Sequence, residues 1–154
     1  NSLSKKNFKV LLSGAGGDEL FSGYYIHHLH YLYSIRKSKL FKKKYKEWQK
    51  YVVPYIRSES LKNFKYYADN VGRMGAAFVD RIMIYKYFKK TKLTNVTNKK
   101  YLNNYHKNEL YKDLMYHSLQ GQLPYLDLVS MYHNVECRSP MLSHKLFELA
   151  FSFL

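Results

Sequence analysis

Residues 9–24 read KVLLSGAGGDELFSGY. Phe8-Lys9-Val10-Leu11-Leu12 is a short apolar run that Ser13-Gly14 ends, the pattern of a buried strand closed by a turn. Ala15-Gly16-Gly17 continue the turn. Asp18 and Glu19 then open a helix expected over residues 20–37, because carboxylates in a first turn meet the positive end of a helix. The order is strand, glycine-rich loop, helix. Glycines let a backbone turn sharply and come close to a ligand. Amide N–H groups beside a helix start form a site for anionic oxygens. Asp18 adds a carboxylate at the same place, and a phosphate beside a carboxylate calls for a cation such as Mg²⁺. The loop reads as a nucleotide or pyrophosphate site with a metal. It reads equally as a tight strand-to-helix turn with a capping acid, and spacing alone does not separate the two.

Outward from this stretch the chain reads as helices. Residues 41–53 predict a basic, aromatic helix that Pro54 ends. Residues 61–67 predict a short helix. Residues 69–90 place Phe78, Ile82 and Tyr85 at helical spacing, residues 95–98 are turn-like, and residues 101–119 predict another helix. Leu123-Pro124 predicts a helix start, since proline suits a first turn. Pro140 breaks the next connection, and Ser143 can cap a last helix from His144. One strand is expected, so the chain reads as mostly α-helical with one N-terminal strand, too few strands for a parallel sheet of its own. Without repeat or linker, residues 1–154 read as a single partial domain. No apolar run approaches the roughly 18 residues of a membrane span.

The chain opens at Asn1 without an initiator methionine or an apolar signal core, and Leu149-Ala150-Phe151-Ser152-Phe153-Leu154 carries no helix-stop signal. Both ends read as cuts through a longer protein. The single cysteine, Cys137, leaves no internal disulfide, fits a reducing cytoplasm and is expected to be a packed residue. The formal charge of +15 would attract nucleic acid, acidic membranes or phosphate-bearing ligands. The abundance of Lys, Asn, Tyr and Phe also follows from AT-rich coding, so charge names no partner. Residues 36–50 hold eight basic residues and one acid with Phe41, Tyr45 and Trp48 interleaved. That segment reads as a solvated helix face with aromatic anchors rather than a nucleic-acid stripe. His27 and His30 would share a helix face beside His28, but no acid or cysteine completes a ligand set, so they read as exposed or satisfied. The tyrosines read as core edges whose hydroxyls reach water.

Residues 9–24 look like the asparagine synthetase segment usually written LLSGxGxDELFGGY. Residues 123–142, LPYLDLVSMYHNVECRSPML, resemble the same family's pattern of Leu-Pro, Asp-x-x-Ser-Met and Glu-x-Arg-x-Pro-x-Leu. The blocks stand in the family's order, and two of them are far more specific than one glycine loop. The resemblance implies an α/β parent domain with a parallel sheet, adenine nucleotide alpha hydrolase-like. It implies an ATP- and Mg²⁺-dependent ligase that adenylates a carboxylate, usually that of aspartate, and releases pyrophosphate. Ammonia then attacks to form the amide. In most members the ammonia comes from glutamine, hydrolysed in an N-terminal glutaminase domain and delivered through a tunnel.

Carried over residue by residue, Ser13 and Gly14 match nucleotide-contacting positions, with Gly16 and Gly17 in the same loop. Asp18 matches the acid that helps hold Mg²⁺ and pyrophosphate. Glu19 matches an acid of the same motif, with a role not separable from capping. Asp127 and Ser130 match the Asp-x-x-Ser-Met element, and Glu136 and Arg138 match Glu-x-Arg. An acid and an arginine two residues apart in a bend can fix a loop through paired hydrogen bonds or line the acceptor pocket, and the structural role is the favoured reading. Ala15 departs from the family, where many members carry Glu or Asp, which opens the alternative of another carboxylate and amine. Ser22 stands where Gly is common and Ser143 where Asp is frequent. The family's upstream SGGxDS loop and its later lysine do not occur in these residues, so they are expected to be inactive alone. The competing function, a basic nucleic-acid-binding module, would need neither block.

Overall fold

In a computed structural model the protein is described over residues 8–71 and 99–153. The first strand, β1 (Val10–Leu12), leads through the glycine loop to α1 (Gly17–Phe21) and α2 (Tyr25–Ser34). The single helix expected over residues 20–37 is therefore two. Ser22 breaks it by adopting a left-handed conformation (φ 62°), and the Gly23 amide donates back to the Asp18 carbonyl at 2.9 Å. A non-glycine residue in that region stops α-helical propagation.

Next comes α3 (Phe41–Tyr51), followed by a 3₁₀ turn (Val53–Tyr55) that contains Pro54, as its lack of an N–H dictates. The short helix expected over residues 61–67 appears as α4 (Glu59–Lys62) and α5 (Phe64–Asp69), separated where the Asn63 side chain caps α5 by accepting from the Tyr66 amide. Phe78, Ile82, Tyr85 and the turn at residues 95–98 lie outside the described residues.

The helix expected over residues 101–119 is shorter, α6 (Tyr105–Met115), because Asn108 Oδ1 accepts from the Tyr101 and Leu102 amides and holds them in a turn. Its successor, α7 (Ser118–Tyr132), begins five residues before the expected Leu123-Pro124 start, so Pro124 sits inside a helix. Its ring forfeits one backbone bond, which the rest of the 15-residue helix tolerates. Then follow β2 (Glu136–Arg138), a 3₁₀ turn (Pro140–Leu142) and α8 (His144–Phe153), where Ser143 caps as expected through its Oγ and the Leu146 amide at 3.2 Å.

The described residues are thus mostly helical with two strands rather than the one expected. β1 and β2 pair in parallel, with Val10 opposite Glu136, Leu11 opposite Cys137 and Leu12 opposite Arg138. Val10, Leu11 and Leu12 remain exposed, Leu12 at 70%. The apolar centre lies around α2, where Leu29 and Leu32 meet Trp48 of α3, Ile56 and Tyr67 of α5. Each such burial contributes about 1.5–3 kcal/mol against exposure. Phe41 and Tyr45 pack against that centre while Lys42, Lys43, Lys46 and Lys50 face out, the expected anchor-and-face arrangement.

On the other flank of α2 one reading is corrected and one is borne out in part. Tyr67 is 1% exposed and its hydroxyl meets that of Tyr105 at 2.9 Å rather than water, and burial raises the pKa of both phenols. Of the two alternatives for the histidines, exposed or satisfied, His27 is buried and satisfied, whereas His30 is buried with one nitrogen paired to no described residue. His27 Nε2 lies 3.2 Å from Asp113 of α6, and its Nδ1 accepts from the Tyr24 amide at 3.4 Å. His30 Nδ1 has no partner among the described residues.

Candidate functional site

The glycine loop leaves β1 at its carboxyl end. The Ser13 amide donates to the Arg138 carbonyl at 2.8 Å and extends the ladder by one bond. Ser13 Oγ accepts from the Ala15 amide at 3.1 Å, and the Gly17 amide returns to the Gly14 carbonyl at 3.1 Å, which closes the turn. Gly16 caps α1 at φ 92°, a conformation that glycine adopts freely. It is buried, and a Cβ there would overlap the Leu142 side chain. Gly14 is the opposite case: it is exposed, and nothing lies within 4 Å of where its Cβ would stand. The amides of Gly14 and Gly16 donate to no described residue.

Asp18 and Glu19, adjacent in sequence, separate in space. Asp18 is exposed and its carboxylate makes no hydrogen bond or ion pair with a described residue. It lies close to Gly23, where any Cβ would run into it. Glu19 is 1% exposed and accepts from the Tyr24 hydroxyl at 2.9 Å, tying α1 to the start of α2. Glu19 is therefore a buried structural carboxylate, while Asp18 is free to meet a ligand.

The second block meets the first through β2. Arg138 Nε donates to Glu136 Oε1 at 2.8 Å and its NH2 group donates to Oε2 at 3.1 Å. The expected paired bonds are present, but in a strand rather than a bend, and the pair is exposed rather than buried. Hydrogen bonding from Arg138 holds the Glu136 carboxyl below its ordinary value, and the same contact raises Arg138. In the parallel register Glu136 and Arg138 share a face with Val10 and Leu12. Cys137 points to the other face with Leu11 and is half-buried. Leu142 and Met141, at the end of the same block, pack beside Gly16 and Gly17.

Asp127 and Ser130 make no bond to the loop. Both are on α7, where Ser130 Oγ donates to the Asp127 carbonyl at 3.0 Å, and neither forms a hydrogen bond or ion pair with the loop. Ser22 was read only as a departure from a motif, yet its Oγ lies 3.0 Å from His106 Nε2 and links the α1–α2 break to α6. The Ser22-Gly23 dipeptide was the available signal, being a turn marker inside a helical pattern.

A family model described as asparagine synthase matches residues 1–153. The chain belongs to the asparagine synthase family. No curated protein matches it, and neither does any solved structure. Membership makes it a ligase-family chain, of a family that uses ATP. No described helix is long and apolar enough to cross a membrane. Among the described residues no three His, Cys, Asp or Glu side chains converge on a point that could hold a metal. Asp18, a carboxylate with no bond to a described residue, is compatible with a Mg²⁺ ion brought in on phosphate oxygens, since such an ion would keep waters and need only one or two protein carboxylates.

Proposed function

We propose that these residues are the C-terminal part of a synthetase domain that adenylates a carboxylate with ATP and forms an amide. The acceptor carboxylate attacks the α-phosphorus and pyrophosphate leaves. Ammonia then attacks the activated acyl carbon, giving the amide and AMP. Aspartate is the first candidate acceptor and glutamine the ammonia source, hydrolysed in an N-terminal glutaminase domain of a longer chain. The observation that carries this reading is the parallel register. It sets the Ser13–Gly17 turn, Asp18 and the end of β2 together at the carboxyl ends of both strands. Open α/β sheets bind nucleotides at that edge.

Ser13, Gly14, Gly16 and Gly17 shape the turn, and the Gly14 and Gly16 amides, which donate to no described residue, would donate to phosphate oxygens. Asp18 would hold Mg²⁺, which supplies charge neutralisation to the leaving pyrophosphate. Glu136 and Arg138 flank this edge as a fixed pair, and Asp127 and Ser130 shape α7. The exposed apolar β1 supports an α/β parent with further strands, because parallel sheets are normally covered on both faces. Ala15, half-buried and without an acidic group, favours testing acceptors and amines beyond aspartate and ammonia.

The test supplies the full-length protein with ATP, Mg²⁺ and a panel of carboxylates and follows pyrophosphate release. Asp18→Asn is expected to lower release by about 10²–10³-fold, as loss of one transition-state charge contact does. Its fold is expected to persist because the side chain bonds to no described residue. Unchanged release in a folded variant would remove the role given to Asp18.

A further inference from the structure

Ser22, at the break between α1 and α2, adopts φ 62° and ψ 41°. Among the described residues Asn134 is the other non-glycine residue with a positive φ, and asparagine is a type that visits this region readily. Serine has no such leaning. For an L-residue the left-handed conformation is disfavoured by about 5–30-fold in population. Contacts outside Ser22 must therefore hold it. Its Oγ lies 3.0 Å from His106 Nε2 and makes no other hydrogen bond with a described residue. His106 is a firm partner: it is 7% exposed in the first turn of α6, with the Tyr31 ring edge-on to the imidazole.

The turn so held ends at Asp18. The Gly23 amide donates to the Asp18 carbonyl at 2.9 Å, and a Cβ on Gly23 would run into Asp18 Oδ1. The Asp18 carboxylate thus lies against the bare backbone of Gly23. A helical Ser22 would let α1 run on and carry Gly23 away from that place. Asp18 makes no hydrogen bond or ion pair with a described residue, so its direction depends on packing of this kind.

We propose that Ser22 and His106 are positioning residues for Asp18: their bond holds the left-handed turn whose Gly23 backbone sets the direction of the carboxylate. The inference rests on the role given to Asp18 in the ligase reading.

The test uses the full-length protein and the pyrophosphate-release assay, with folding checked by circular dichroism. Ser22→Ala and Ser22→Gly both delete the hydroxyl and differ by one methyl group. Ser22→Ala is expected to lower release about tenfold, because alanine keeps the left-handed penalty without the bond. Ser22→Gly should stay close to the parent protein, because glycine adopts φ 62° freely. His106→Phe should match Ser22→Ala, and should cost nothing further when added to Ser22→Gly or to Asp18→Asn. In urea unfolding without ATP or Mg²⁺, Ser22→Ala should be less stable than Ser22→Gly, the reverse of the order that glycine's larger chain entropy would give. Equal release in Ser22→Ala and Ser22→Gly, a His106→Phe loss that persists beside Asp18→Asn, or the opposite stability order would each overturn the proposal. These results leave the ligase reading standing as long as Asp18→Asn itself lowers release. An Asp18→Asn variant with unchanged release would remove both. If His106→Phe fails to fold, the Ser22→Ala and Ser22→Gly pair decides.

Discussion

Acidification should unfasten the contact between α2 and α6, because its histidines are buried. His30 is pushed down to about 3, by burial first and then by His27. His106 is pushed down to about 4, again by burial first. Their two Nδ1 atoms have no described partner. The unfolded chain binds protons at both sites below its ordinary value near 6.5, while the folded chain does not. Their contribution is therefore fully present above pH 6.5 and is lost as pH falls toward 4. Each group changes stability by about 1.4 kcal/mol per pH unit inside that window, so from pH 7 to pH 5 the pair removes about 4 kcal/mol. That is a large share of a domain's typical margin of about 5–15 kcal/mol.

The other groups facing His30 are His27, Asp113, Lys112, Tyr67 and Tyr105. Burial alone would raise Asp113, but hydrogen bonds from His27 and His117 outweigh it and leave that carboxyl below its ordinary value, under the window in question. Tyr67 and Tyr105 are raised, well above it. Urea unfolding followed by circular dichroism at pH 7, 6 and 5 measures the loss. His30→Phe, set among the Tyr67 and Tyr105 rings, should cut the pH dependence by about half. A midpoint that does not move between pH 7 and 5, or a variant that keeps the full slope, would refute the reasoning.

Gly16→Ala places a Cβ at φ 92° and against Leu142, and should cost about 1–3 kcal/mol in urea unfolding, whereas Gly14→Ala, with open space around it, should be close to neutral. Equal losses at the two positions would contradict the assigned difference. Arg138→Ala removes one half of an exposed ion pair and should leave the melting temperature near that of the parent protein, so a large drop would mean that the pair holds the strands together. The loss of pyrophosphate release in Asp18→Asn completes the set.

The legible parts of the chain were those set by near neighbours. The strand, the turn and the acidic helix start follow from residues 8–19 in order, and the Ser143 cap lies three residues from the amide it accepts. Pro54 and the aromatic anchors of α3 were readable for the same reason. The misread helix starts have local causes that compete: Asn108 captures two amides ahead of α6, and α7 tolerates Pro124 once its flanking turns are formed.

Glu136–Arg138 was hard to recognise as a strand, since two of its three residues are charged and the run is too short for its alternation to carry weight. It is extended because β1, far away in sequence, supplies backbone partners, and strand character of that kind depends on context more than on propensity. The fates of Asp18 and Glu19 were likewise undecidable from two adjacent acids. Only the packing of α1 against its neighbours turns one carboxylate to Tyr24 and leaves the other exposed. The sequence by itself determined the family, the glycine turn and the helical character of the chain, because motifs and capping act over a few residues. The tertiary structure alone decided which carboxylate is free, that the two blocks meet edge to edge, and that His27, His30 and His106 are buried, because burial and strand pairing are properties of residues distant along the chain.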